Sequence, residues 1–283
     1  MQNREAIEYC RRIHQHHGKS YYFATAFFPK KLREATWVLY AFFRAPDEIV
    51  DNAPAGQSID LTKQQLQSFI AQWRTAMDGT TTKNPILDAT AQIFKAYRIP
   101  ASLGEDFLSA MMQDTTVHRY ATYTDLKRYM WGSAAVVGHM MSYVIGFKDQ
   151  SALPHATALG EAMQLTNVLR DIQEDAERGR IYLPQEDLDR FQVPETEIRH
   201  SVFSDRFKTL MQFQIKRADD LYDFANKGIP LLNPQGRYAV RCASHLYRAI
   251  LRKIEQLDYN IFNARAHTSK FEKFGIAAKC LFH

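Results

Sequence analysis

Cysteine is scarce in this 283-residue chain: Cys10, Cys242 and Cys280 stand far apart, and there is no C-x-x-C. That argues against a disulfide framework and a zinc site, and favours a reducing compartment. No block of Lys and Arg is dense enough to make nucleic acid the expected partner. The 36 basic residues exceed the 31 acidic ones only slightly, a net +5 that suits an anionic substrate or an anionic membrane surface. The opening stretch MQNREAIEYCRRIHQHH is polar and amphipathic and lacks the apolar core of a signal peptide. The most apolar run, Ser133 to Phe147, is 15 residues long and contains His139. It falls short of the ~20 residues that span a bilayer and reads as a buried helix. Strand-like alternation, a repeat period, low-complexity tracts and a dividing linker are all missing. So is a G-x-G-x-x-G fingerprint, which mildly disfavours NADPH. What remains is 46% hydrophobic and 24% charged, enough for a sizeable core. The expectation is an all-α single domain over residues 1–283 with roughly ten helices.

Residues 3–17 read as helical, with Ile7, Cys10, Arg11 and His14 three or four apart. Gly18 then breaks the pattern, and Ser20 is a candidate cap for the next helix. Lys19 and Ser20 beside a helix start suit an anion, because free backbone N–H groups collect there; a plain surface turn is the competing reading. From Leu32 to Val50 apolar residues crowd most faces, yet the segment carries Arg44, Asp47, Glu48 and Asp51, with Tyr40 one turn before Arg44. Charges in a buried helix are costly unless paired or metal-bound, which marks a site. Pro46 predicts a local bend. A loop is expected at 52–57, and helices over 61–77, 85–97, 101–113, 124–147, 194–225, 234–259 and 269–281. Within 124–147 the small residues Gly132, Ser133, Ala134, Ala135 and Gly138 either let backbones approach or leave room for a ligand.

The stretch from Gln164 to Asp175 has no Pro or Gly, and a helix through it is expected. Gln164, Asn167, Asp171 and Asp175 then fall in one row, while Leu165, Val168, Leu169 and Ile172 lie mainly off it. Oxygen ligands on one stripe suit a hard cation such as Mg²⁺; a solvated face would carry the same residues. The second stripe, Asp47 and Asp51, lowers that bland reading. Two acidic stripes facing each other would repel unless cations lay between them. Mg²⁺ bridging carboxylates and a diphosphate resolves the repulsion and makes diphosphate a leaving group. Arg44, Arg170 and Lys19 complement the phosphates, and nearby aromatic rings suit an apolar tail and a carbocation. Gly179 and Pro184 bound a loop whose Arg178 and Arg180 are expected to reach back over the Asp171/Asp175 end. The residues alone point to ionisation of an allylic diphosphate in an apolar helical pocket.

These motifs resemble the squalene/phytoene synthase family of head-to-head prenyl diphosphate synthases. The carriers are Lys19-Ser20-Tyr21, the segment from Tyr40 to Asp51, Tyr129 to Gly138, and most specifically Gln164 to Asp175 continued through Pro184. The Asp47-Glu48-Ile-Val-Asp51 form and the run into Arg178-Gly-Arg180-Ile-Tyr182-Leu-Pro184 look most like the phytoene synthases of that family. The resemblance implies an isoprenoid-synthase helical bundle around a central cavity. It implies Mg²⁺, with Mn²⁺ as the alternative, on Asp47, Asp51, Asn167, Asp171 and Asp175; NADPH is not expected. It places Lys19, Ser20, Tyr40, Arg44, Gln164, Arg170, Tyr247 and Arg265 against diphosphate or prenyl chains, and Tyr129 with the catalytic set. Arg178, Arg180 and Tyr182 would form a flap that shields the cation from water. His17 falls in the diphosphate-contacting stretch, with a surface histidine as the competing reading. Tyr21 lines the prenyl pocket or simply packs. Asp114 matches an acidic family position or ends a helix. Phe43, Pro46 and Met130-Trp131 depart from the family pattern and bear on pocket shape.

The implied reaction joins two geranylgeranyl diphosphates; farnesyl diphosphate, giving dehydrosqualene or squalene, is the alternative. Ala24 and Thr25 are small where a C20 tail would pass. A cytoplasmic protein with peripheral membrane contact is expected. A non-catalytic assembly factor would usually have lost carboxylates, and a cyclase or head-to-tail synthase would lack the Arg-Gly-Arg-Ile-Tyr-Leu-Pro loop.

Overall fold

The structure, a computed structural model, describes residues 3–51 and 57–281. Among these the chain forms fifteen α-helices and no strand; the one sheet-like contact is an isolated bridge between Phe147 and Leu232. In order they are α1 (Asn3–His17), α2 (Lys19–Thr25), α3 (Lys30–Asp51), α4 (Ile59–Met77), α5 (Pro85–Tyr97), α6 (Ala101–Gln113), α7 (Tyr123–Met130), α8 (Val136–Ile145), α9 (Ala152–Arg170), α10 (Ile172–Glu177), α11 (Gln185–Arg190), α12 (Glu195–Arg199), α13 (Asp205–Asn226), α14 (Pro234–Gln256) and α15 (Lys270–Lys279). The loop expected at 52–57 lies almost wholly outside the described residues. No helix among the described residues is long and apolar enough to cross a membrane.

Local chemistry sets many of the boundaries. Asn84 accepts from the Ile86 N–H with Pro85 in the first turn, Ser58 and Ser204 cap α4 and α13, and Thr122/Asp125 and Ser269/Glu272 form reciprocal capping boxes. Other boundaries differ from the expected ones. Ser20 lies inside α2 rather than capping it; Gly18 holds the cap position, and its N–H still reaches the His14 carbonyl at 2.9 Å. The helix expected over 194–225 is two, because Ser201 adopts φ 55° and Ser204 starts α13 anew. Pro46 is buried within α3, which continues past it to Asp51, so both carboxylates of that stripe share one helix.

The helix expected over 124–147 contains a π-helical turn, Trp131–Ala135, between α7 and α8. The small residues here serve close approach. A Cβ on Gly138 would stand 2.5 Å from the Ala156 carbonyl oxygen, and one on Gly160 2.5 Å from that of Ala134. α9 therefore lies with its backbone against α8 and the π turn, and it also packs along α13 and α14.

Two apolar clusters hold the bundle. One gathers Leu39, Phe42, Leu66, Trp73, Phe94 and Leu108 around α3; the other gathers Leu165, Leu169, Phe207, Met211, Tyr222 and Leu251 around α9. Full burial of each such side chain contributes roughly 1.5–3 kcal/mol. A cavity lies where the clusters meet, with Phe107 and Met111 of the first and Tyr129 and Met163 of the second in its walls. α3 and α9, the carriers of the two acidic stripes, each belong to a different cluster and face this cavity.

Candidate active site

The cavity is apolar over most of its length, lined by Ala, Val, Ile and Met side chains from α2, α8, α9 and α14, and polar at one end. Arg44 and Asp47 from α3, Gln164 and Asn167 from α9, Asp114 and Tyr129 line that polar end. Asp47 of one row and Gln164 and Asn167 of the other, about 120 residues apart in sequence, thus line one cavity, while Asp51, Asp171 and Asp175 lie outside its wall.

On the α3 side Arg44 forms ion pairs with both Asp47 and Glu48, and His17 Nδ1 lies 3.4 Å from Glu48. Burial and the neighbouring Asp51 charge nonetheless push the Asp47 carboxyl up to about 6, against the pull of Arg44. Asp51 is held from across the cleft: Arg180 Nη1 donates to its Oδ1 at 2.6 Å, and Arg178 Nη1 stands 3.6 Å from its Oδ2. These arginines also lie near Asp175 and favour its ionised form. Their expected place over the Asp171/Asp175 end therefore extends to the opposite stripe, and the loop they sit on joins the two.

On the α9 side the helix is interrupted at Asp171 (φ −105°, ψ 14°), where an unbroken helix was expected. The interruption is one residue long. Asp171 N–H still donates to the Asn167 carbonyl at 2.9 Å and Asp175 N–H to the Asp171 carbonyl at 2.8 Å, so the row survives. Asp171 is gripped by arginines, with Arg170 Nε at 2.8 Å and Arg265 Nη2 at 2.8 Å from Oδ1. Burial opposes its charge, but the hydrogen bonds and charges of Arg170 and Arg265 outweigh it and hold the carboxyl below the usual range. Asp175 is pushed up to about 7 by burial, by Asp171 and by Asp51. That Asp51 contributes to Asp175 places the acid ends of both stripes within electrostatic reach. The Asn167 side-chain oxygen is buried without a hydrogen-bond partner.

Three tyrosines surround a third acid. Tyr129 Oη donates to Asp114 at 2.8 Å and Tyr182 Oη at 3.4 Å, and the rings of Tyr120, Tyr129 and Tyr182 lie 5.4–6.0 Å apart. Burial lifts the Asp114 carboxyl to about 7, with Asp51 and Asp47 adding to the effect. The sequence offered Asp114 as an acidic family position or a helix end, and it does cap α6; Tyr120 was not given a role. The available signal was an acid two residues after Met112, at the end of an apolar helix. The Arg178–Pro184 loop is pinned beside this cluster, with Ile181 N–H donating to the His118 carbonyl at 3.1 Å and Arg119 to the Gly179 carbonyl at 2.9 Å.

The remaining candidates divide. Tyr40 and Tyr21 line the cavity; Tyr40 stacks on the buried His14 ring at 4.0 Å, and Tyr21 meets Tyr247 at 4.5 Å. Lys19 and Ser20 are not in the cavity wall; Lys19 is exposed at the start of α2, near Lys273 of α15. His14 was not singled out in sequence, yet both its ring nitrogens are buried without partners, and burial lowers its basicity to about 3.

Among the described residues no three His, Cys, Asp or Glu side chains stand close enough together to hold a metal ion on their own. The oxygen set still fits a hard cation. Asn167 has an unpartnered buried oxygen, and Asp47 and Asp175 are half-buried acids whose charge desolvation and nearby carboxylates oppose, a cost that a cation would remove.

The chain has clear relatives among known proteins. The family model described as squalene/phytoene synthase matches residues 14–272. A 15-cis-phytoene synthase of Synechococcus elongatus is 35% identical over 95% of this chain and 90% of its own length. A chloroplastic phytoene synthase 1 of Arabidopsis thaliana is 33% identical over 95% of this chain and 64% of its own. Among solved structures, a ligand-bound dehydrosqualene synthase superposes with a TM-score of 0.88 at 28% identity, covering 99% of this chain and 97% of that one. Squalene synthase HpnC from Alicyclobacillus acidocaldarius gives 0.83 at 27% identity over 92% of this chain and 96% of that one.

Proposed function

The chain belongs to the squalene/phytoene synthase family, and we propose that it condenses two geranylgeranyl diphosphates head to head into phytoene. In the first step one diphosphate leaves and the allylic cation is captured by the double bond of the second substrate, with loss of a proton. This gives the cyclopropylcarbinyl intermediate, prephytoene diphosphate. In the second step that diphosphate leaves, the carbon skeleton rearranges and a further proton is lost. No hydride enters, so NADPH has no part.

Asp47, Asp51, Asn167, Asp171 and Asp175 would hold Mg²⁺, with Mn²⁺ as the alternative, which when bound neutralises the diphosphate and eases its departure. Arg44, Arg170 and Arg265 present guanidinium groups to the same phosphates by bidentate hydrogen bonds. Gln164 and Tyr247 add polar contacts, and Lys19, Ser20 and His17 would contact diphosphate. Arg178 and Arg180 carry Tyr182 over the polar end and keep water from the cation. The apolar cavity receives the prenyl tails, and the faces of Tyr21, Tyr40 and Tyr129 stabilise positive charge by cation–π attraction. Peripheral membrane contact and a cytoplasmic setting belong to the same proposal, since the product is an insoluble hydrocarbon.

The observation that carries this reading is the single cavity into which Asp47 of α3 and Asn167 of α9 both project, polar at that end and greasy beyond it. Incubation of the purified protein with Mg²⁺ and defined C15 or C20 diphosphates, with and without NADPH, tests it by mass analysis of the products. A C40 hydrocarbon with a central conjugated triene, from C20 substrate without NADPH, is expected. Product from C15 substrate alone would defeat it in favour of a dehydrosqualene- or squalene-forming enzyme.

A further inference from the structure

Diphosphate chemistry leaves one surface unexplained. α15 packs inward through Ala277 and Cys280 against Cys242 of α14, and Tyr238 Oη donates to the Ala277 carbonyl at 2.8 Å. Its outer face carries Phe271, Phe274 and Leu281, which are 89%, 64% and 66% exposed. With helical periodicity these side chains, together with exposed Gly275 and Ala278, fall in one sector of about 120°. Exposed Lys270 borders that sector on one side and exposed Lys279 on the other. The one acid of the helix, Glu272, is turned aside into its capping box and an ion pair with Lys253.

The apolar surface does not stop at the helix. The Phe274 ring meets Phe23 edge-on at 5.1 Å, Phe23 meets Phe27 at 5.5 Å, and Phe27 meets Tyr238 at 5.0 Å. Phe27 is itself 36% exposed and is followed by exposed Lys30 and Lys31. Scattered exposed apolar residues need no explanation, but a contiguous aromatic patch rimmed by lysines does.

We infer that this face docks on an anionic lipid bilayer. Phe271, Phe274, Leu281 and Phe27 enter the boundary between headgroups and acyl chains, and Lys270, Lys279, Lys30 and Lys31 remain at the level of the lipid phosphates. Charge selects this occupant over a second copy of the chain, because two such faces brought together would oppose lysine to lysine. The placement deepens the membrane contact proposed above. α2 and the turn after it point Phe23 and Phe27 toward the patch and Ala24, Thr25 and Phe28 into the cavity; α14 turns Tyr238 and Cys242 toward α15 and Ala239, Val240 and Ala243 into the cavity. The bilayer then lies one helix layer from the cavity, where 20-carbon tails and a 40-carbon hydrocarbon partition. Only this consequence rests on the proposed reaction; the docking itself does not.

The full chain would be co-sedimented with unilamellar vesicles of phosphatidylcholine, with and without phosphatidylglycerol. Binding to phosphatidylglycerol vesicles is expected, weakening as salt rises. The triple variant F271S/F274S/L281S should lose at least about tenfold in partitioning. K270E/K279E should lose about tenfold on phosphatidylglycerol and little on phosphatidylcholine alone. Circular dichroism and turnover of detergent-dispersed substrate should match the parent for both variants, since none of these residues touches the cavity. Equal partitioning of parent and triple variant overturns the inference, as does indifference to phosphatidylglycerol. A dimer that the triple substitution dissolves, without vesicle binding, assigns the face to a second copy instead. Vesicle binding without product from any prenyl diphosphate would defeat the proposed reaction and leave the docking surface standing; product without binding would do the reverse.

Discussion

The two acidic stripes share a spacing of four and almost nothing else. Asp47 and Asp51 ride one helix that continues through a buried proline, whereas Asp171 interrupts its helix and Asp175 begins the next turn. Yet the electrostatic arrangement is the same on both sides. In each stripe one acid is compensated by two arginines: Asp51 by Arg180 and Arg178, Asp171 by Arg170 and Arg265. In each the other acid, Asp47 or Asp175, is half-buried, and desolvation and a neighbouring carboxylate push it up, to about 6 and about 7. Backbone continuity is thus not what defines a ligand row. What the two rows share is a division between a carboxylate held by two arginines and one whose charge is opposed by burial and a neighbouring carboxylate.

The largest effect should come from removing either kind of acid. Asp47→Ala and Asp171→Ala are each expected to lower kcat on the order of 10³-fold, the equivalent of about 4 kcal/mol of lost charge stabilisation at the leaving diphosphate. The division predicts a difference in metal response. Excess Mg²⁺ should recover more activity in a variant that retains both poised acids than in one that lacks Asp47. Equal recovery, measured as activity against Mg²⁺ concentration, would break the comparison.

Next comes the bridge between the stripes. Arg180 is 12% exposed and reaches an Asp51 that is 21% exposed, so Arg180→Gln strands a nearly buried carboxylate. A loss of about 2 kcal/mol in urea unfolding is expected without metal, part of it regained with Mg²⁺, which can neutralise Asp51 in its place. A variant as stable as the parent would show that the loop arginine does not compensate the α3 stripe.

The poised acids also fix a pH dependence. In the folded chain Asp114 and Asp175 keep their protons up to about 7, against 3.8 for an unperturbed aspartate. Between those values the folded state binds more protons than the unfolded one, so stability falls as pH rises. His14 works the other way: its folded value near 3 lies below the usual 6.5, so it adds stability as pH rises through that range. Above about pH 6.5 the unfolded histidine sheds its remaining proton and the His14 share fades, so the carboxylates dominate. From pH 6.5 to 7.5 in chelator, each should cost roughly 0.7 kcal/mol, about half a proton per group. Asp114→Asn should remove its share; thermal melts equally steep in parent and variant would count against a protonated Asp114.

Much of this was legible in the residues. Asn84-Pro85 and Pro100 marked α5 and α6 to the residue, and the row from Gln164 to Asp175 showed which polar side chains share a face because its spacing is local. What periodicity could not carry is the break at Asp171, which coincides with the grip of Arg265 from 94 residues away, and the reach of Arg180 to Asp51 across 129. The π turn at Trp131 escaped for a related reason. Its small residues admit the close approach of α6 at Gly132 and of α9 at Ala134 and Ala135, partners that no window of sequence around 131–135 contains. The tyrosines around Asp114 come from α7, the Val117–Thr122 segment and the 178–184 loop, and only packing assembles them.

The smallest effects sharpen the comparison at its rim. Arg178 and Arg265 are the outer members of the two arginine pairs, 46% and 54% exposed. Solvent screens both, and Arg178→Gln and Arg265→Gln should each change stability by no more than about 0.5 kcal/mol. Their contacts are unequal, however. Arg178 stands 3.6 Å from Asp51, while Arg265 donates to Asp171 at 2.8 Å and also approaches Glu174 at 3.2 Å. If compensation of the resting acid is what each pair supplies, Arg265→Gln should raise KM for the diphosphate substrate a few-fold and Arg178→Gln much less, with stability unchanged in both. Steady-state kinetics on the two variants would separate them. An Arg178 effect equal to that of Arg265 would mean that proximity to substrate, rather than the grip on the acid, decides what the outer arginines do.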